Sequence, residues 1–298
     1  MLPFLRWAGG KRKLAELITD CLPPNTFLDS STHFYEPFVG GGAIMLHLGD
    51  AGSEHYIPGN RIHINDMNPD LVITYEVIQR DVEKLIIKLD KLSKDLSKEA
   101  YLKIRADVPE DPVERAARFI YLNKTGFNGL WRVNNKGLYN VPWGQLKNPT
   151  IYARQNLLEC SDRLVGAEIT HLNFSDALSQ AKAGDIVYFD PPYIPLTASS
   201  SFSKYAKNDF SLENQIELKN SVMDLTSRKV TVILSNSDTP ETRKIFGESL
   251  NLYQIDAARA ISAKASSRGK VKEILGFNYS LNNSVKNIAE KMTQLTFI

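Results

Sequence analysis

HFYEPFVGGGAIMLHL, residues 33–48, decides the fold. His33 to Phe38 reads as a short strand, Gly40, Gly41 and Gly42 as a turn, and Ala43 to Leu48 as the start of an apolar helix. A strand, a glycine turn and a helix in that order form an α/β unit in which the backbone can come close to a ligand. The next strand, RIHIND (61–66), ends on Asp66, 24 residues after Gly42. That is near the ~20-residue interval at which such units place an acid for ribose hydroxyls. The glycines do not follow G-x-G-x-x-G, so the turn suits a nucleoside without phosphates better than a dinucleotide.

Outward from this unit, Pro69 suits the first turn of a helix, and the pattern stays helical to about residue 122, broken at the polar seam SKDLSKE. Residues 123–150 carry Gly126, Asn128-Gly129, Asn134-Asn135, Gly137, Pro142 and Gly144, which predicts a loop and a β-hairpin. Strand and helix signals then alternate: AEITHL, DALSQA, DIVYFD, a helix over 211–227, KVTVILS, TPETRKIF and LNLYQIDA. Alternation of this kind predicts an α/β fold, a mostly parallel sheet covered by helices. The expected organisation is a core of residues 1–68 and 158–298, interrupted by a mostly helical insert over 69–157.

The chain has 298 residues, 43% hydrophobic and 23% charged, which excludes disorder, collagen and coiled coil as descriptions of the whole. No apolar run reaches the ~20 residues of a membrane helix, and MLPFLRWAGGKRK lacks the apolar core of a signal peptide. Two cysteines, Cys21 and Cys160, make no disulfide framework, so a cytoplasmic setting is expected. Lys and Arg number 36 against 34 Asp and Glu, so the total charge says little. Its distribution says more. From Arg115 to Leu158 there is no acid, and seven basic residues alternate with seven aromatics. A second acid-free run spans Ala257 to Lys272. Basic stretches with interleaved aromatics point to nucleic acid.

The strongest chemical motif is DIVYFDPPYIP, in which Asp190-Pro191-Pro192-Tyr193 ends an apolar strand. In open α/β sheets ligands bind beyond the carboxyl ends of strands. Prolines cannot donate, so local carbonyls remain as acceptors for an exocyclic amino group. Shared between the Asp190 carboxylate and the Pro191 carbonyl, such an amino group would localise its lone pair, and Tyr193 would stack on the ring. FLRWAGGK (4–11) fails as a phosphate loop, because Leu5 and Arg12 occupy the first-glycine and Ser/Thr positions. No C-x-x-C or H-E-x-x-H occurs, and Leu71 spoils the calcium-loop start at Asp66, so no metal is expected.

Taken together, FLRWAGGK, YEPFVGGGA, INDMNPDL, FIYLNKTGFNGLWRVNNKGLYNVPWG, YFDPPYIPL, LSNSD and ASSRGKVKEIL resemble the DNA adenine-N6 methyltransferases of the Dam family, including GATC methylases of restriction–modification systems. The order of the motifs is that of the family's alpha group. The resemblance implies a class I, Rossmann-like methyltransferase core, S-adenosylmethionine as donor with no metal, and the 69–157 insert as the target-recognition domain. It implies double-stranded DNA as partner, with a separately encoded restriction endonuclease as a companion in some systems, and a bacterial or phage source. By the same resemblance Trp7, Ala8, Gly9, Lys11, Glu36, Pro37, Phe38, Gly40, Gly42, Asp66, Asn173, Phe174 and Asp190 line the donor. Asp190, Pro191, Pro192 and Tyr193 serve catalysis. Arg6, Lys124, Asn128, Leu130, Arg132 and Pro142 meet DNA, the hairpin reading GATC. At Asn173 relatives often carry an acid. Two other readings are weighed: an N-methyltransferase acting on RNA or a protein amide, and a catalytically inactive methylase-like DNA-binding regulator. The basic hairpin opposes the first and the intact Asp190–Tyr193 motif opposes the second.

Overall fold

A strand covered on both faces reads as an unbroken apolar run, and Ile186–Phe189 is buried at all four positions. In the computed structural model, which describes residues 1–7, 9–23, 31–49, 56–193, 210–258, 270–281 and 292–294, this run is the middle of the sheet. The strands are β1 (Phe34–Glu36), β2 (Ile62–Asn65), β3 (Glu168–Thr170), β4 (Ile186–Phe189), β5 (Thr231–Ser237), β6 (Asn251–Ala258), β7 (Lys270–Phe277) and β8 (Met292–Gln294). The helices are α1 (Ala15–Asp20), α2 (Ala43–His47), α3 (Pro69–Leu92), α4 (Lys98–Ala106), α5 (Pro112–Thr125), α6 (Arg154–Leu164), α7 (Leu212–Ser227) and α8 (Pro240–Phe246).

The eight described strands form one sheet in the order β3-β2-β1-β4-β5-β7-β6-β8. From β3 to β5 all pairs are parallel, while β7, β6 and β8 join antiparallel. Successive side chains alternate between faces. Ile186 and Tyr188 join one apolar cluster with Phe34, Ile64, Leu71 and Phe119. Val187 and Phe189 join the other, with Tyr35, Leu218, Val222 and Phe246. Chain order reverses between β1 and β4, which makes that gap the topological switch point. No described helix is long and apolar enough to cross a membrane.

Helix ends follow the sequence closely. The Asn68 side chain accepts from the Asp70 and Leu71 N–H groups, and Pro69 opens α3. Ser97, Asp111 and Thr239 cap α4, α5 and α8, and Ser211 with Asn214 forms a capping box on α7. Two expectations fail locally. DALSQA gives only a 3-10 turn, Asp176–Leu178, whose N–H groups bond three residues back, Leu178 to Ser175 and Ser179 to Asp176. The predicted hairpin at 123–150 has no continuous ladder. It closes through isolated bridges, Gly126 with Trp143 and Val133 with Tyr139, and its tip is an Asn134 turn accepting from Lys136 and Leu138 N–H groups. Positive φ at Asn128 and Gln145 takes the backbone out of strand geometry on both sides.

The segment 69–157 shares its core with the sheet. Leu71, Tyr75, Leu85, Tyr101, Phe119 and Tyr139 belong to the same cluster as Phe34 and Ile64, and α6 runs across residues 157 and 158.

Candidate active site

At the switch point three acids reach the carboxyl ends of neighbouring strands: Glu36 from β1, Asp66 just past β2 and Asp190 just past β4. Glu36 is 2% exposed and accepts from the Met45 N–H at 3.1 Å, in the first turn of α2. Burial pushes its carboxyl well above the usual range; Asp190 and Asp66 push it further, against the Met45 hydrogen bond. Asp66 accepts from Gly40 N–H at 3.0 Å and Asn68 N–H at 2.9 Å, yet burial still raises its pKa. The carboxylate thus stitches the glycine turn to the start of α3, and its oxygens keep lone pairs for ribose hydroxyls.

Gly40 and Gly42 have φ of +46° and +67°. A Cβ on Gly40 would sit 2.6 Å from the Trp7 indole nitrogen, so only glycine permits this approach. The Tyr75 hydroxyl donates to the Gly40 carbonyl at 2.9 Å and holds the turn from α3. The Asn65 amide donates to the Pro37 and Leu172 carbonyls, both at 3.1 Å, tying β1 to the loop after β3. Phe38 and Phe174 pack at 5.3 Å between ring centres, with Phe210 at 5.5 and 5.8 Å. Asn173 is exposed and donates to Glu217 at 3.4 Å. Ala8 lies outside the described residues.

Around Asp190 the polar groups converge. Lys11, 4% exposed, places its ammonium 2.9 Å from Asp190 Oδ1, donates to the Gly9 carbonyl at 2.7 Å, and lies 4.6 Å from the Tyr193 ring centre. The Ser235 hydroxyl, from β5, donates to the same Asp190 oxygen at 2.8 Å. The Tyr193 hydroxyl donates to Glu273 of β7 at 3.0 Å, and Glu273 stands 3.9 Å from the Lys11 ammonium. Gln215 of α7 reaches the Pro192 carbonyl at 3.3 Å. Ser235 and Glu273 were missed as site residues, although both sit in quoted motifs, LSNSD and KVKEIL.

Of the remaining candidates, Arg6 and Lys124 lie where α5 meets the N-terminal segment, and Asn128, Leu130, Arg132 and Pro142 lie on the chain that follows α5. Lys124 is held down to about 8 by burial and by the nearby Arg6. Asn128 takes the left-handed conformation, φ 55°. Leu130 is partly buried, and the Pro142 carbonyl accepts from Phe127 N–H at 2.9 Å. Arg132 is exposed and donates to Asn140 Oδ1 at 2.8 Å. The acid-free run overstates the charge available here. Arg118 is buried and donates to the Ile104 and Arg105 carbonyls, Arg115 pairs with Asp70, and Arg154 pairs with Glu83. Phe119, Tyr121 and Tyr139 are likewise core.

A sheet of this order with acids at its switch point defines a Rossmann-like methyltransferase core. A model of the D12 class N6 adenine-specific DNA methyltransferase matches residues 7–261. The chain is 38% identical to the Type II methyltransferase M1.LlaDCHI of Lactococcus lactis subsp. cremoris, over 93% of this chain and 95% of that one. It is also 38% identical to the Type II methyltransferase M.MjaIII of Methanocaldococcus jannaschii, over 93% and 99%. Identity to a DNA adenine methylase of Escherichia coli is 33%, over 91% and 93%. The chain belongs to the D12 class of N6 adenine-specific DNA methyltransferases. This family depends on S-adenosylmethionine, and the residues present suit such a ligand: carboxyls for its cationic end, a carboxylate for its ribose, and beside them a glycine turn packed against Trp7 and Tyr75. Among the described residues no group of three or more His, Cys, Asp or Glu side chains is placed to hold a metal ion.

Proposed function

We propose that the chain methylates the N6 amino group of the adenine in GATC within duplex DNA, the base being flipped out of the stack to reach the site. The observation that carries this reading is Asp190-Pro191-Pro192-Tyr193 at the end of β4, facing Glu36 and Asp66 across the switch point. S-adenosylmethionine, when bound, supplies an electrophilic methyl group for direct in-line displacement. Asp66 takes the ribose hydroxyls, Glu36 and the Gly40–Gly42 turn face the methionine end, and Trp7, Gly9, Pro37, Phe38 and Phe174 wall the cleft. Asn173 adds a neutral amide at the cleft's rim.

Adenine's amino nitrogen is a poor nucleophile, since its lone pair is delocalised into the ring. The Asp190 carboxylate and the Pro191 carbonyl accept its two hydrogens and turn the lone pair outward; Pro192 keeps that backbone rigid and Tyr193 stacks on the ring. Lys11 and Ser235 orient the Asp190 carboxylate. On the DNA side, Arg132 offers a guanidinium fork to guanine O6 and N7, while Asn128, Leu130 and Pro142 shape the reading loop. Lys124 and Arg6 contribute charge toward the backbone and the adjoining bases. Residues 69–157 act as the recognition unit while sharing the core's packing. Relatives named Type II methyltransferases support a separately encoded restriction endonuclease as companion. Two buried free thiols suit a cytoplasmic setting.

The test is methyl transfer from labelled donor to duplexes differing by one base pair within GATC. Transfer confined to GATC is expected, with loss of turnover in Asp190→Ala and an intact fold. Equal transfer to every variant duplex would remove the sequence assignment, and unchanged turnover in Asp190→Ala would remove the mechanism.

A further inference from the structure

Asn123 lies in α5, is fully buried, and belongs to none of the roles assigned above. Its side chain makes three hydrogen bonds. Oδ1 accepts from the Arg6 N–H at 2.8 Å, while Nδ2 donates to the Arg6 carbonyl at 2.7 Å and to the Gly129 carbonyl at 3.0 Å. One amide thus clamps both backbone polar groups of a residue 117 positions away and the turn that follows Asn128.

Two further contacts make the same junction. Gly129 has φ +63°, and a Cβ there would lie 2.5 Å from the Arg6 Cβ, so the two segments touch with no space between them. Trp7, next to Arg6, continues through ring contacts to Phe119 at 6.2 Å, from Phe119 to Trp131 at 4.0 Å, and from Trp131 to Tyr139 at 4.6 Å. On its other side Trp7 lies against Gly40 of the donor turn.

We propose that Asn123 is a positioning residue for sequence recognition, which registers Arg6 against the Asn128–Leu130 turn so that the two segments meet DNA as one surface. The inference rests on the DNA-facing roles proposed for Arg6, Asn128 and Leu130. Its physical basis is the tolerance of recognition geometry: a productive constellation must be held to within about 0.5 Å, which loops reach only when a rigid element supports them. α5 is that element. A side chain buried in it spans both loops without touching DNA or donor. A mere structural staple would instead lower stability and reduce every activity alike.

The experiment uses the full chain carrying Asn123→Ala or, separately, Gly129→Ala, with the parent and Arg6→Ala alongside. Gly129→Ala leaves the Asn123 amide in place and attacks the junction from its other side, so it decides the matter if Asn123→Ala does not fold. Each protein is checked by far-UV circular dichroism and S-adenosylmethionine titration, then assayed on the parent's preferred duplex and its single-base variants. Both junction variants are expected to lose about tenfold or more in discrimination, the scale of one good base contact, with donor affinity little changed. Retained discrimination in a folded junction variant, or an equal fall on all duplexes, overturns the inference. Should Arg6→Ala leave discrimination intact, the DNA-facing assignment of Arg6 fails first and takes the inference with it.

Discussion

Among the residues proposed to face DNA, Lys124 is the one whose pKa is moved toward neutrality. Burial and Arg6 lower its pKa to about 8, so its charge is lost as pH rises through that value. A phosphate contact by a charged lysine adds about 0.9 to the salt slope, so the slope should become shallower by about that amount between about pH 7 and pH 9.5. Lys124→Arg should hold one slope throughout; a parent slope independent of pH would argue against a phosphate contact. Glu36 titrates in the opposite sense. Its raised pKa means the native state holds a proton longer than the unfolded chain, so this group's stabilising contribution falls as pH rises. A cationic donor favours the ionised form, so binding should release a proton and tighten with pH. Calorimetry in two buffers of different ionisation enthalpy reads this directly, and Glu36→Gln should make the heats agree. Glu36, Asp66 and Asp190 were legible because each sits in a local motif. Ser235, Glu273 and Asn123 sit in motifs too, but no local pattern assigns them a role, because their partners lie 45, 80 and 117 positions away.

Elements were legible where local chemistry agrees with packing. Asn68-Pro69, Ser97, Asp111 and Ser211 mark helix starts that the structure keeps. The 123–150 segment was readable as a hairpin but not as an irregular one, since its shape depends on hydrogen bonds with α4 and α5. The Tyr101 hydroxyl donates to the Val141 carbonyl at 2.8 Å, and the Tyr139 hydroxyl to the Leu122 carbonyl at 3.2 Å. The acid-free run misled for a related reason: charge in sequence carries no record of burial. Arg118 shows it. Arg118→Ala should destabilise by about 2–4 kcal/mol, through carbonyls left without donors and lost packing, while the salt slope of DNA binding stays unchanged. Thermal melts and salt titrations separate the two effects, and a shallower slope would return Arg118 to the DNA surface.

Across the whole molecule, the alternation of strands and helices pointed to the sheet, yet its antiparallel end at β7 and β8 went unread. That edge matters, because β7 delivers Glu273 to the pocket. The shared cluster running from Phe34 to Tyr139 also ties the 69–157 segment, proposed to recognise DNA, to the sheet. Thermal unfolding followed by tryptophan fluorescence, which includes Trp131 of the 69–157 segment, should coincide with unfolding followed by far-UV circular dichroism. Residues 69–157 expressed alone should not fold, for they would expose Leu71, Tyr75 and Phe119. A separate early transition in fluorescence would show instead that the segment is an autonomous unit.

The Lys11 ammonium resting on Asp190 has a consequence for inhibitors. A purine mimic aimed at this pocket finds one Asp190 oxygen, Oδ1, already held by a tethered ammonium and by the Ser235 hydroxyl. Its amino group, like that of the substrate base, is left the second oxygen, Oδ2, so a bulkier substituent at that position should bind poorly however well the ring stacks on Tyr193. Compounds anchored on Asp66 meet no tethered ammonium there, only the Gly40 and Asn68 N–H groups, which leave lone pairs on both oxygens, so the proposed donor side is the better place to seek tight ligands of this enzyme.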